Sequence, residues 1–563
     1  MEVKVGRFNA RFSRGFVVQD EWGFAWVCGA AFANGEMHRE ERLAERVLGC
    51  TSQKQLQELV SSANGFFSLV RVGGNSAWLA VDRLRSRPLF YCNAGDKLLI
   101  GDSPEEVVRE LGGLQLDPVS VGELALAGFV SGTHTIDPRV HQIPAGEIAE
   151  IRLEKGQHAV VRHCYSSFSL RGESSARSRD ELLQELSEVF RQAIDRLCRY
   201  ADGRQIVVPL SGGLDSRLIC LGLRDAGYPR IQTFTYGVPG NSDSTVSEQV
   251  AKALNLPWTF VPYSQSLWRE VWGSSRFASY CDDAESFASV AHIQDWPATK
   301  RLVENGRIER DAIVAPGTTG DFPTGYHFSV FRDLFDEAEE RDTPVKSIWK
   351  YFYTLNQSWE AAHALGISER RLRHGIKRRV LEEIALLPPE NRGDNPAKLL
   401  GWEWKYRHSN FLVNSVRTYE FFGLDWWLPL ADADYVWFWR GVPDGALLGQ
   451  ALYLDLLREW QNHFGIDCGL ESHVAQRLTS GEWRKQRLIR WAQSTRVGCE
   501  GLAAWRTLRR VYDRAYEGHP LAWYGVVDFD TFRRQLRSTG NINTIIAWRQ
   551  VEHRISQARG TRI

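Results

Sequence analysis

Val207-Val208-Pro209-Leu210-Ser211-Gly212-Gly213-Leu214-Asp215-Ser216 reads as an apolar strand that breaks into Ser-Gly-Gly and resumes as a helix. The helix carries Leu218, Ile219, Leu221 and Leu223 on its apolar side. Two glycines let the backbone turn tightly and leave its amides unobstructed. Those amides, with the positive end of the following helix, form an anion cradle. The hydroxyls of Ser211 and Ser216 add donors for phosphate oxygens. Asp215 would repel a phosphate unless a divalent cation lay between them, so its carboxylate predicts Mg²⁺. No GxxxxGK[ST] occurs, which excludes a Walker-type loop. An ordinary Ser/Gly-rich turn is the alternative; strand, S-G-G-x-D-S and amphipathic helix in that order favour the cradle.

Outward from this bend the pattern is β-α-β. A strand at 230–236 is followed by a helix at 247–254, and an apolar segment at 312–315 ends in another Gly-containing turn. Alternating strands and helices predict a parallel sheet with ligands at the strands' C-terminal ends. Upstream, Ser178 with Glu181 three residues later is a capping box that opens a helix. Leu182, Leu183, Leu186, Val189, Phe190, Ala193, Ile194 and Leu197 keep one face of that helix apolar. The polar stretch 170–179 reads as a linker. Before it, short strands at 23–27, 65–70, 77–81, 88–91, 98–101 and 146–151 predict layered antiparallel sheets, interrupted by helices at 39–48 and 53–63. From about residue 340 the chain is mostly helical, and from Arg484 it is also Arg-rich, which reads as a solvated face or a docking surface. The 563 residues divide into 1–168, 178–480 and a helical extension, 481–563.

Composition narrows the function classes. Lys+Arg and Asp+Glu are both 69, a balance that argues against nucleic acid as a partner. No apolar run is long enough to span a membrane. The opening MEVKVGRFNARFSRGF puts charges where a signal peptide needs its apolar core, so a cytoplasmic location is expected. Nine cysteines without a CxxC pair read as reduced, mostly buried thiols.

The Ser211 bend is the pyrophosphate-loop signature of ATP-pyrophosphatases, and the chain resembles the asparagine synthetase superfamily over nearly its whole length. Asn64-Gly65-Phe66-Phe67-Ser68-Leu69-Val70 and Asp82-Arg83-Leu84-Arg85-Ser86-Arg87-Pro88-Leu89-Phe90-Tyr91 are similar to its glutaminase-type domain. Thr233-Phe234-Thr235-Tyr236-Gly237 with Asp243, and Pro316-Gly317-Thr318-Thr319-Gly320-Asp321, resemble its second and third ATP loops. The resemblance implies an α/β fold: a degenerate Ntn-hydrolase-like αββα sandwich, then a HUP-type parallel synthetase domain with helical additions. It assigns nucleotide binding to Leu210, Ser211, Gly212, Gly213, Asp215, Ser216, Tyr236, Asp243, Pro316 and Gly317, and Mg²⁺ to Asp215 and Asp321.

Four departures stand out. The residue after Met1 is Glu2, where glutamine-hydrolysing members have the nucleophilic cysteine. Cys28 lies within a strand and reads as core, so no glutaminase activity is expected. Thr318 occupies the loop position of the residue that handles the nucleophile's proton, and a hydroxyl is a poor base. Leu447-Leu448-Gly449-Gln450-Ala451-Leu452-Tyr453 lacks the family's lysine, and Trp427 replaces an arginine. Asn414, Arg417 and Glu420 share roughly one helix face. There Arg417 is expected to hold a carboxylate or phosphate, with Glu420 as the missing base; an exposed ion pair is the alternative.

The resemblance implies an ATP-dependent ligase that adenylates a carboxylate and joins it to ammonia or an amine, releasing AMP and PPi. ATP and a carboxylate are the expected partners, a separate ammonia source is implied, and a homodimer is left open. Residues 409–423 resemble synthetase-like proteins of surface-polysaccharide pathways, which implies a sugar uronate. Intramolecular cyclisation, as in β-lactam synthetases or lasso-peptide cyclases, and a nucleotide-binding scaffold without turnover are the alternatives.

Overall fold

The computed structural model describes residues 1–154, 157–170, 177–329, 343–353, 358–389, 395–466, 496–508, 518–522, 529–535 and 543–558. The Arg-rich stretch expected from Arg484 therefore lies, through residue 495, outside the described residues.

The first part of the chain builds two sheets. One contains β1 (Glu2–Val5), β2 (Phe8–Arg11), β8 (Phe90–Ala94), β9 (Lys97–Gly101) and β10 (Val140–Gln142). Their order is β1-β2-β9-β8-β10. The other contains β3 (Phe16–Asp20), β4 (Gly23–Ala33), β5 (Glu36–His38), β6 (Asn64–Gly73), β7 (Ser76–Val81), β11 (Glu147–Glu154) and β12 (Gln157–Cys164). Its order is β12-β11-β7-β6-β4-β3, with β5 on β4. One pairing departs from the antiparallel expectation: β2 runs parallel to β9.

Side-chain alternation along β4 sets the layers. Phe24, Trp26 and Cys28 face the smaller sheet and pack with Phe8, Phe12, Tyr91 and Ile100. Ala25 and Val27 face the other way, onto α1 (Glu40–Leu48) and α2 (Gln53–Ser62) through Leu43, Val47 and Leu56. The smaller sheet's outer face meets α3 (Pro104–Glu110) and α4 (Pro118–Ala127). Helices, sheet, sheet, helices is the αββα order that the resemblance implied.

The second part is a five-stranded, all-parallel sheet of β13 (Ile206–Pro209), β14 (Ile231–Gly237), β15 (Trp258–Pro262), β16 (Ile313–Val314) and β17 (Asp425–Trp426). The order is β15-β14-β13-β16-β17. The chain leaves β13 toward β14 and β15, then returns to β13's other side for β16 and β17. The switch point thus lies between β13 and β16, where open α/β sheets form a ligand crevice beyond the strand ends. α5 (Arg179–Ala201) carries the capping box expected at Ser178 and Glu181 and buries its apolar face. α6 (Leu214–Asp225) follows β13, and α7 (Ser242–Ala253) follows β14.

The two parts share an extensive polar and aromatic interface. Arg162 binds Glu147 on its own sheet and Glu383 across the interface, and Lys405 pairs with Glu147. Asn64 accepts the Ala433 amide at 2.9 Å. The helix Asn543–Ala558 reaches back to both parts: Arg554 meets Glu105 at 3.4 Å and Glu285 at 3.0 Å. Among the described residues, no helix is long and apolar enough to cross a membrane.

Candidate active site at the sheet switch point

The Ser211 bend is held from within. The Ser211 amide donates to Ser216 Oγ at 3.1 Å, and the Gly213 amide donates to Ser211 Oγ at 3.1 Å. Behind it, the buried Arg217 donates to Gly212 O at 3.3 Å, so a guanidinium backs the loop. Leu210 is locked to β14, donating to Phe234 O at 2.8 Å.

Two elements, α7 and the loop after β16, close on this bend at distances that only glycine permits. A Cβ on Gly212 would lie 2.7 Å from Asp243 Oδ1, at the first turn of α7. One on Gly317 would lie 2.9 Å from the Ser216 amide nitrogen, and one on Gly320 2.5 Å from Asp215 Cγ. The loop after β16 therefore rests on the carboxylate of the loop after β13. Gly320→Ala is expected to strain this contact by about 1–3 kcal/mol, lowering ATP-analogue affinity roughly tenfold; calorimetric titration measures it.

The electrostatics match that closeness. Burial raises the Asp215 carboxyl, and the negative charge of Asp321 raises it further, against the hydroxyl of Tyr453, which donates to Asp215 Oδ1 at 2.6 Å. Burial opposes ionisation of Asp321 as well, but the His327 ring beside it keeps that carboxyl low. Two neighbouring carboxylates, one held up by the other, are a donor set suited to a divalent cation. Among the described residues, no group of three or more His, Cys, Asp or Glu could hold a metal. The pair would thus hold Mg²⁺ only together with phosphate and water oxygens, as Mg²⁺ in nucleotide sites is usually held.

This strand–loop–helix unit lies within a segment that matches a known family. Residues 185–290 match the asparagine synthase family. An ATP-dependent, amide-forming ligase is the class of activity that the match supports. No curated protein sequence matches the chain. Among solved structures, B. subtilis glutamine phosphoribosylpyrophosphate amidotransferase, complexed with ADP and GMP, is 12% identical, covers 54% of this chain and 64% of its own, and has a TM-score of 0.19. This chain thus spans less than two thirds of that one. An allosteric regulatory enzyme of purine biosynthesis gives 11%, 70%, 78% and 0.19. Glutamine-dependent NAD+ synthetase from Acinetobacter baumannii, with ADP, gives 13%, 65%, 88% and 0.16. Scores this low carry nothing about activity.

The expected residues separate into two groups. Leu210, Ser211, Gly212, Gly213, Asp215, Ser216, Asp243, Pro316, Gly317 and Asp321 are brought together by the two loops and the start of α7. Thr318 is partly exposed on the same loop. Tyr236 sits at the end of β14, but its hydroxyl is committed to Asp295 at 2.5 Å, and Tyr419 holds the other oxygen of that carboxylate.

Arg417 and Glu420 are placed elsewhere, and the sequence reading of them is corrected. They precede β17, at the end of the sheet where strands begin, and they face the N-terminal sandwich. The crevice there, about 560 Å³, is lined by Arg204, Asp311 and Asp425, which lie just before or at strand starts, and by Cys28 and Arg87. Glu420 is almost fully buried and clamped by Arg14 at 2.9 Å, Arg87 at 3.3 Å and Arg417 at 2.5 Å. Trp426 donates to it at 2.8 Å. Burial opposes its charge, but the guanidinium groups of Arg417, Arg14 and Arg87 hold the carboxyl at about 2. So strong an acid is no general base near neutral pH. Nor is this an exposed ion pair, since the Arg417 and Glu420 side chains are only 13% and 4% accessible. Asn414 turns away and donates to Ala284 O at 2.7 Å. Trp427 packs edge-on against Phe66 of the sandwich at 4.8 Å, so this replacement for the family's arginine serves the interface.

Three residues escaped the sequence reading. Tyr453 was inside the segment noted for its missing lysine, yet it is the side chain there that reaches Asp215. His327 stands beside Asp321 and Glu403 holds His327, and nothing local marked them; Glu403 is 82 positions away from Asp321 and is linked to it only through the His327 ring.

Proposed function

We propose that this protein is an ATP-dependent ligase that activates a carboxylate as its adenylate and passes it to ammonia or an amine. The observation that carries this reading is the meeting of Asp215 and Asp321 on two glycine-bearing loops at the switch point of a parallel sheet. The amides of the Ser211 bend and the N-terminal end of α6 bind and orient the phosphates. Tyr453 fixes one oxygen of Asp215, so the carboxylate presents the other. Mg²⁺, when bound between the carboxylates and the phosphates, would neutralise phosphate charge and act as a Lewis acid. Arg217, behind Gly212, is a cation that could partly offset the lysine missing from 447–453.

The test is exchange of labelled pyrophosphate into ATP with a panel of sugar uronates and amino acids. Exchange with any of them supports the ligase and names its acid. Binding of an ATP analogue without exchange across the panel would instead make this a nucleotide-binding scaffold.

We assign no glutaminase step to the sandwich. Cys28 packs among the apolar side chains between the sheets at the wall of the crevice, and burial pushes its thiol up to about 11 despite the Arg87 guanidinium beside it, far from a thiolate nucleophile. Glutamine is expected to yield no ammonia above background, whereas an ammonium salt should sustain AMP formation. Cys28-dependent ammonia release would overturn this assignment.

A further inference from the structure

We propose that His327, held in place by Glu403, is a positioning residue that sets the Asp321 carboxylate for a divalent cation. The inference rests on reading Asp321 as a cation ligand. Asp321 is 44% accessible and ends a loop, and among the described residues His327 is the side chain paired with its carboxylate. His327 Nε2 stands 3.8 Å from Asp321 Oδ2, and its Nδ1 lies 2.8 Å from Glu403 Oε1. The imidazole thus bridges a buried carboxylate and a half-exposed one.

The bridge is built rigidly. Glu403 is fully buried, and Arg407 grips the same Oε1 at 2.9 Å. Glu403 and Arg407 lie one turn apart in a π-helical stretch, Glu403–Leu412. Wide helices of this kind are rare and concentrate at functional sites. Phe322 walls the His327 ring at 5.2 Å, and His408 backs Phe322 at 4.9 Å while stacking on Trp404. With Glu403 at Nδ1 and Phe322 against the ring, the imidazole turns Nε2 toward Asp321.

The chemistry follows from a general pattern. A carboxylate that binds a cation through one oxygen is oriented by a partner on the other, and loss of such a partner typically costs about 10–100-fold in metal affinity. Glu403 selects which ring nitrogen faces inward, leaving Nε2 for Asp321. Asp215 has Tyr453 in the equivalent role, so each carboxylate of the pair has its own orienting group.

The experiment is a titration of Mn²⁺, as a paramagnetic stand-in for Mg²⁺, into the full-length protein saturated with a non-hydrolysable ATP analogue, read by electron paramagnetic resonance. His327→Leu is expected to weaken Mn²⁺ binding about 10–100-fold. His327→Gln, whose amide reaches about as far as Nε2, should recover part of the loss, and Glu403→Gln should fall between. Analogue affinity without metal and the thermal midpoint are measured for each variant. A purely structural role would lower the midpoint and leave the Mn²⁺ affinity of the folded fraction unchanged, and that result overturns the proposal. Wild-type protein that binds the analogue with no Mn²⁺ would overturn both this inference and the ligase reading. Retained Mn²⁺ affinity in His327→Leu alone would overturn only this inference.

Discussion

Asp215→Asn is expected to lower pyrophosphate exchange by about 10³-fold or more, equivalent to about 4 kcal/mol of transition-state stabilisation. Asparagine keeps the size of the side chain and still accepts the Tyr453 hydroxyl, so the loop geometry survives. What disappears is one of the two charges that meet at the switch point, and with it the anionic ligand that a phosphate-bound cation requires. The same substitution should not weaken the metal-free fold. Burial and the charge of Asp321 raise the Asp215 carboxyl in the folded chain. For an acid, a folded pKa above the unfolded one means that ionisation disfavours the fold above the unfolded value of about 3.9. At neutral pH the asparagine variant should therefore be at least as stable as wild type, while its exchange is lost. Urea midpoints and exchange rates measured side by side check both halves. Exchange within tenfold of wild type would remove the basis for the ligase.

The same loop shows why part of this molecule is legible in its sequence. A glycine pair after an apolar strand has few structural solutions, so the Ser211 bend, α6 and the parallel order of β13 and β14 can be read locally. The capping box of α5 is likewise local, and it occurs as expected. Strands with little apolar content are not legible in this way. β1 reads EVKV, sits at a sheet edge and is mostly exposed, so only its pairing with β2 makes it a strand. β17 has two residues and exists because β16 offers it an edge. Function divides in the same manner. Asp321 could be found from its own loop, but the partners that orient the two carboxylates come from distant segments. Spacing on a helix misled the reading of Arg417 and Glu420 because it fixes a face and not what that face meets. Here the face meets the sandwich, and the pair became part of the interface.

That interface gives a second large expected effect. Glu420→Gln should destabilise the protein by about 3–5 kcal/mol, because it leaves guanidinium groups buried without their counter-charge. Arg87 and Arg417 carry this effect: both are mostly buried, Arg417 otherwise has the neutral Ser86 carbonyl, and Arg87 otherwise has Asp425 only at 4.0 Å. Arg14, 47% accessible, can turn to water and should contribute little. The pH dependence has a definite sign. The Glu420 carboxyl is held at about 2 in the fold and returns to about 4.3 in the unfolded chain. A depressed acid pKa stabilises fully above the unfolded value and is lost as pH falls toward the folded one, which here amounts to ~3 kcal/mol between about pH 5 and pH 2. Wild type should therefore lose this contribution across that window, and Glu420→Gln should already lack it at pH 7. Urea unfolding at pH 7 and at pH 3 measures the difference. The gap between wild type and variant should be wide at pH 7 and narrower at pH 3. An equal gap at both would mean that the glutamine harms packing rather than charge balance. No gap at pH 7 would mean that the three arginines are satisfied without Glu420. Glu420→Asp, which keeps the charge but shortens the reach, should fall between wild type and Glu420→Gln at pH 7, because the clamp depends on distance as well as on charge.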